Sequence, residues 1–354
     1  MTLALLPIPD SEIIDLHHRL SSTRWARLPS GMGSTRGIDA DYLATLLNRW
    51  RDGYDWRLHE ARILSLPWET VSCGDHGLRV VHQRASIEDA PTVLLLHGWP
   101  DSILRFERVL PLLRDVNVVV PALPGFPFAP ALTKPGMTVK HMAAHVAEAM
   151  SSLGYRRYVV SGGDVGADIA EQLAMLQPDC VAALHLTNIS PLHAVFADRS
   201  KLDADDLAYL DRVAVWQRKE GGYIAEQSTK PHTLAVALAD SPAGLAAWLA
   251  EKLRDWSETP FPNDDVLTWI SAYWFSGTIG TSFAPYIEFV HPVPYVPTPT
   301  VLGVFANDIK VVPRSFASHF VNIQEYVEHP DGGHFAAWEQ PDRYVSDLRR
   351  ALAL

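Results

Sequence analysis

Apolar residues recur at helical spacing over residues 11–20 and 39–50, and each run opens on a capping residue, so the pattern predicts two helices near the start of the chain. The loop 29–34 separates them, the aromatic stretch Tyr54-Asp55-Trp56 follows, and a first strand pair is expected around 69–71 and 78–83. From Thr92 the rhythm changes. Short apolar runs at 92–96, 116–120, 158–161 and 181–186 alternate with amphipathic stretches such as 139–153 and 167–176, the pattern of a parallel sheet built from βαβ units. The rhythm stops near Pro191, and about 100 residues follow that read as helical and aromatic, with helices expected at 205–219, 243–256 and 264–274. It resumes at 300–305 and 322–327 and closes on a helix over 341–354. The predicted fold is α/β: a mostly parallel sheet flanked by helices, divided as an N-terminal meander (1–90), a core (91–190), a helical insertion (191–295) and the rest of the core (296–354).

Composition narrows the functional classes. Hydrophobic residues at 47% and charged residues at 20% describe an ordinary globular chain. A formal charge of −11 with no basic run argues against nucleic acid or an anionic membrane as a partner. No apolar run approaches the roughly 20 residues of a spanning helix, so neither a signal peptide nor a membrane anchor is expected, and a cytoplasmic protein with free thiols at Cys73 and Cys180 fits. Eleven Trp, eleven Tyr and twelve Phe exceed what a plain sheet core requires; they can serve a core or line an apolar pocket.

The sharpest local feature is the segment from Val159 to Asp168, where an apolar strand runs through Ser161-Gly162-Gly163-Asp164-Val165-Gly166 into a helix. Gly162 and Gly166 flank position 164 in the small-x-nucleophile-x-small arrangement of the α/β-hydrolase elbow, with Asp in the nucleophile's place. Read alone, the turn could also bind phosphate, although no Lys follows it, or be a structural turn capped by Asp164. The Asp decides the chemistry. A carboxylate of reference pKa about 3.9 is ionised at neutral pH and attacks carbon without a base. Attack on an sp³ carbon yields an ester that water can hydrolyse, whereas Ser would leave an ether.

Hydrolysing that ester needs an activated water, an oriented base and donors for an oxyanion. His334, in Asp331-Gly332-Gly333-His334-Phe335, follows the last apolar run and is the candidate base. Asp308, just past the run ending at Phe305, would orient it. The order nucleophile, acid, histidine is the α/β-hydrolase order. His97-Gly98-Trp99-Pro100 closes the run 92–96, so the Trp99 N–H and the Val165 N–H are the expected oxyanion donors. His141 and His145 have helical spacing, but the Glu of a zinc-binding HExxH is absent between them, and with His17, His18 and Asp168 they read as helix-surface or structural residues.

Over almost its whole length the chain resembles the microsomal type of epoxide hydrolase. The likeness rests on Tyr54-Asp55-Trp56-Arg57, the HGWPDS stretch from His97, the elbow at Asp164, the segment from Gly222 to Pro231, Tyr273 to Thr278, and GGHFAAWEQP from Gly332. The resemblance implies an α/β-hydrolase fold with a helical lid, Tyr223 and Tyr286 as proton donors to an epoxide oxygen, and an apolar epoxide as small-molecule partner. It implies neither metal nor organic cofactor, and leaves a homodimer as an open assembly state. A phenol suits this role because the alkoxide formed on ring opening is far more basic than a phenolate. The chain departs from the family at Val165, where Trp is usual, at Pro127 and Ala129, and at Asp308, where mammalian members tend to have Glu. Two other readings stay open: a haloalkane dehalogenase using the same Asp, and a catalytically silent hydrolase fold that binds an apolar ligand.

Overall fold

Strand β3 (Thr92–Leu96) is apolar at four of its five positions and buried at all of them, which places it inside a sheet covered on both faces. In the computed structural model, which describes residues 4–27, 31, 33–73, 76–287 and 293–354, that sheet has eight strands. They are β1 (Trp68–Cys73), β2 (His76–Gln83), β3, β4 (Asn117–Pro121), β5 (Tyr158–Gly162), β6 (Val181–Leu186), β7 (Val296–Phe305) and β8 (Val321–His329). Their order is β1-β2-β4-β3-β5-β6-β7-β8, with β1, β2 and β4 paired antiparallel and the others parallel. Strand β3 lies between β4 and β5, so the chain winds outward on one side and then returns to the other. The carboxyl ends of β3 and β5 therefore flank a topological switch point, where open α/β sheets form their sites.

Three helices precede the sheet: α1 (Asp10–Ser21), α2 (Ala40–Asp52) and α3 (Trp56–Leu64). Asp39 caps α2 by accepting the Tyr42 N–H, and Asp55 caps α3 by accepting the Arg57 N–H. The α3 helix is absent from the sequence reading because nine residues with an unusual buried Glu60 carry little periodic signal. Half of the 29–34 loop, residues 29, 30 and 32, lies outside the described residues. Helices α4 (Val139–Ser152) and α5 (Val165–Leu176) pack together over the sheet, and α15 (Pro341–Leu352) packs on β6 and β7.

Between β6 and β7 run α6 (Leu192–Phe196), α7 (Ala204–Glu220), α8 (Gly222–Thr229), α9 (Pro231–Asp240), α10 (Pro242–Asp255), α11 (Asn263–Ser276) and α12 (Ala284–Ile287). Three of these match predicted helices. The others are short or begin directly after the preceding helix, so their periodicity is cut before it becomes legible. Pro231 and Pro242 each stand at a first helical position, where a missing N–H costs nothing, so they start α9 and α10. The remaining helices, α13 (Arg314–Ser318) and α14 (Ala336–Glu339), follow β7 and β8.

Strand β7 starts four residues earlier than the expected 300–305, through Pro297 and Pro299. Strand β6 pairs with β7 only at Thr300–Leu302, so the early part of β7 has one open edge, and prolines are tolerated there. Among the described residues no single helix is long and apolar enough to cross a membrane; α9 and α10 pass that test only as a pair bent by 116°.

Candidate active site

The elbow begins where β5 ends. Asp164 has φ 56° and ψ −132°, a conformation costly for a residue with a Cβ and held here by the packing around it. A Cβ on Gly162 would lie 2.4 Å from the Gly166 carbonyl oxygen, and one on Gly166 would lie 2.2 Å from that of Leu96. Glycine at both positions lets the elbow press against the end of β3. The Asp164 N–H donates to Asn188 Oδ1 at 3.0 Å, which fixes the start of the turn. A Cβ on Gly98 would come within 2.5 Å of Asp164 Oδ1, so that glycine clears the space the carboxylate occupies.

The other expected residues converge on this carboxylate. The Trp99 N–H donates to Asp164 Oδ1 at 2.9 Å. Val165 stands at the first position of α5, where the helix's own bonding leaves the N–H free. The loops after β7 and β8 are tied by the Asn307 N–H donating to the Gly332 carbonyl. Within them His334 Nδ1 lies 2.7 Å from Asp308 Oδ1, and His334 Nε2 lies 3.4 Å from Asp164 Oδ2. The His334 backbone is fixed at both ends: its N–H donates to the Trp256 carbonyl at 2.8 Å, and its carbonyl accepts from Arg105 at 2.7 Å.

Electrostatics sharpens these roles. Burial pushes the His334 imidazole down, but the Asp308 and Asp164 carboxylates outweigh it and raise it from the ordinary 6.5 to about 9. Burial pushes Asp308 up, and His334 more than offsets this, holding it below the usual carboxylate range. Because the folded value of His334 lies above the unfolded one near 6.5, the imidazolium stabilises the fold fully below that pH, and the contribution is lost as pH rises through about 9. The melting temperature of the native chain minus that of His334→Gln is accordingly expected to fall between pH 6.5 and 9, as thermal denaturation would measure. A flat difference would contradict it.

Tyr223 on α8 and Tyr286 on α12 face the same cavity, of about 260 Å³, that Asp164 and His334 line. Their rings lie 6.1 Å apart at 77°, and neither hydroxyl hydrogen-bonds to a described residue. Tyr223 stacks on the Trp99 indole at 5.4 Å, which fixes its ring. Burial pushes both phenols well above their usual value, and the Asp164 carboxylate adds to the shift. Val165, Leu192, Val195, Val213 and Val312 make much of the remaining wall.

Sequence reasoning missed three parts of the site. Asp101, within the quoted HGWPDS stretch, accepts the Gly98 N–H at 2.6 Å and pairs with buried Arg105 at 2.5 Å. Burial raises its carboxyl, but Arg105 and His97 hold it down at about 2, so an ion pair sets the Gly98–Trp99 turn and, through Arg105, the His334 carbonyl. Trp256, read only as the end of a helix, packs its ring edge-on to His334 at 5.3 Å. Asp168, expected as a helix-surface or structural residue, lies off the helix surface and lines the cavity, because α5 starts at Val165 and places residue 168 one turn beyond Asp164 on the inward side. His141 is accounted for by its ring bonding to the Thr138 cap of α4, and His17 and His18 are exposed on α1.

A family model described as "Epoxide hydrolase N terminus" matches residues 3–106, and one described as "alpha/beta hydrolase fold" matches 91–219. The chain is 34% identical to a Stigmatella aurantiaca protein whose name assigns it to the epoxide hydrolases, over 98% of this chain and 83% of that one. It is 28% identical to epoxide hydrolase 1 of Sus scrofa, over 98% of this chain and 87% of the relative. Among solved structures, the Aspergillus niger epoxide hydrolase superposes with a TM-score of 0.88 at 29% identity, covering 99% of this chain and 95% of the other.

Proposed function

Since the chain belongs to the epoxide hydrolases, hydrolytic enzymes of the α/β-hydrolase fold, we propose that it converts an epoxide on a largely apolar skeleton to a vicinal diol through an ester on Asp164. The observation that carries the reading is the placement of Asp164: Oδ1 on the Trp99 N–H, Oδ2 toward His334 Nε2, and the Tyr223 and Tyr286 phenols on the wall of the same cavity.

In the first step Asp164 Oδ2 attacks a ring carbon. The carbon–oxygen bond breaks, and the ring oxygen takes a proton from Tyr223 or Tyr286, leaving an alkyl ester and a hydroxyl. Oδ1 already sits where the ester carbonyl oxygen must sit. In the second step His334 takes a proton from water, and the hydroxide adds to the ester carbonyl carbon. The Trp99 and Val165 N–H groups receive the oxyanion on Oδ1. Collapse expels the product alkoxide, which His334 protonates; the second water proton leaves the Asp164 carboxyl and replaces the one the phenol gave to the ring oxygen, so Asp164 regains its carboxylate carrying one oxygen from water. The chain itself supplies every group these steps need. Helices α7, α8 and α12 act as the lid, since they deliver Tyr209, Tyr223 and Tyr286 to the cavity wall.

One turnover with excess enzyme in heavy-oxygen water is expected to label Asp164, read by mass spectrometry of its peptide; label confined to the diol would sink the ester scheme. The same sample is expected to release no halide from simple haloalkanes. A departing halide prefers indole or amide N–H donors, whereas an alkoxide demands a proton; the described cavity wall holds phenols and no Trp, with Asn188 and Gln217 as its amides. Halide release at rates comparable to diol formation would favour the dehalogenase reading instead.

A further inference from the structure

Two charged side chains in the epoxide cavity take no part in either chemical step. Asp168 lines the cavity one helical turn beyond Asp164, and its Oδ1 is buried without a partner. Lys310 lines the cavity too, holds its ammonium 4.3 Å from the centroid of the Trp216 ring, and has no carboxylate within ion-pairing distance among the described residues. A structural acid on the same helix looks different. Glu171, one turn further on, has both oxygens engaged, accepting the Ser190 N–H at 2.9 Å and meeting His193 at 2.7 Å. Burial, only partly relieved by Ser190, pushes the Asp168 carboxyl well above the usual carboxylate range, with Glu171 and Asp164 adding to the shift. A half-satisfied buried acid on the cavity wall is a cost that a ligand group can remove.

We propose that Asp168 is a specificity-determining residue, and that the preferred substrate is an epoxide on an apolar skeleton carrying a hydroxyl group about 5 Å from the attacked carbon, bonded to Asp168. The inference rests on the epoxide-hydrolysis reading above. The charges in the cavity select the substituent. A cationic group meets Lys310, and an anionic one meets Asp164, which must keep its own charge to attack. A hydroxyl is neutral, and it can donate to a carboxylate or accept from a carboxyl, so it satisfies Asp168 in either protonation state.

The test compares 1,2-epoxyhexane with 5,6-epoxyhexan-1-ol, which differ by one hydroxyl. The native chain is expected to favour the alcohol about tenfold in kcat/KM. Asp168→Leu is expected to bring the ratio to one or below, raising kcat/KM for 1,2-epoxyhexane while lowering it for the alcohol. Asp168→Asn, whose amide still donates and accepts, is expected to keep a reduced preference. A native chain indifferent to the hydroxyl, an Asp168→Leu variant with the native ratio, or an equal loss on both compounds would overturn the proposal. If Asp168→Leu does not fold, an unchanged ratio in Asp168→Asn overturns it. Diol from neither compound with the native chain fails the underlying reading itself, a result visible before any variant is made.

Discussion

Replacing His334 by Gln is expected to stop the reaction halfway, with turnover lowered by at least about 10³-fold while the first step survives. Attack needs only the Asp164 carboxylate, the Trp99 N–H and a phenol, none of which the substitution removes. Hydrolysis of the ester needs a base beside the carbonyl carbon, and His334 Nε2, 3.4 Å from Asp164 Oδ2, is the group placed to be one. Gln keeps a donor toward Asp308, so the buried acid is not stranded and the fold should hold. Mixed with excess 1,2-epoxyhexane, the variant should gain the mass of one substrate molecule, on the peptide bearing Asp164. Lost turnover with an unmodified chain would mean that His334 is needed for the attack itself, and the two-step assignment would fall.

The ionisation of His334 fits a base that works only in the second step. In the free enzyme two carboxylates, Asp308 and Asp164, raise it to about 9 despite its burial, so at neutral pH the ring is an imidazolium facing the nucleophile. Forming the ester removes one of those two charges. The ring then loses its proton more readily, at the stage when a neutral imidazole is needed. Asp308 remains and keeps the Nδ1 proton in place, which is the tautomer that leaves Nε2 free to accept from water.

The residues gathered around Asp164 were legible in the chain because their geometry is local. Gly162, Asp164 and Gly166 announce the elbow, since each glycine answers a close backbone approach within a few residues. The short buried runs named the parallel strands, and the loops at their ends carried Trp99, Asp308 and His334. Tyr223 and Tyr286 came from family resemblance, because two phenols 63 positions apart in a helical insertion carry no local signal of meeting. What stayed hidden depends on long-range packing. The Asp101 and Arg105 pair reaches across the chain to His334, and Asp168 faces the cavity only because the helices between β6 and β7 fold back over α5. The pattern of apolar positions says which residues are buried, but it does not say whether a buried wall faces a core or a cavity.

Converting both lid tyrosines to Phe is expected to block the reaction one step earlier than His334→Gln does. Each single change should lower kcat/KM by about 10²-fold, because one phenol remains to protonate the ring oxygen, and the double change by about 10⁴-fold or more. The rings would stay. Tyr223 keeps its stacking on Trp99, Tyr286 keeps its edge contact with the same indole, and no described residue loses a hydrogen bond from either hydroxyl, so stability should change little. Burial holds both phenols well above their usual value, which keeps them protonated through the neutral and mildly alkaline range and makes each a donor at every pH where the carboxylate can attack. Intact mass separates this block from the other one. In a His334→Gln background the ester should accumulate, and adding Tyr223→Phe with Tyr286→Phe should prevent it, since an alkoxide with no proton source does not leave carbon. Ester formation at an undiminished rate in the triple variant would show that the phenols are packing residues, and the proton would have to come from elsewhere in the cavity.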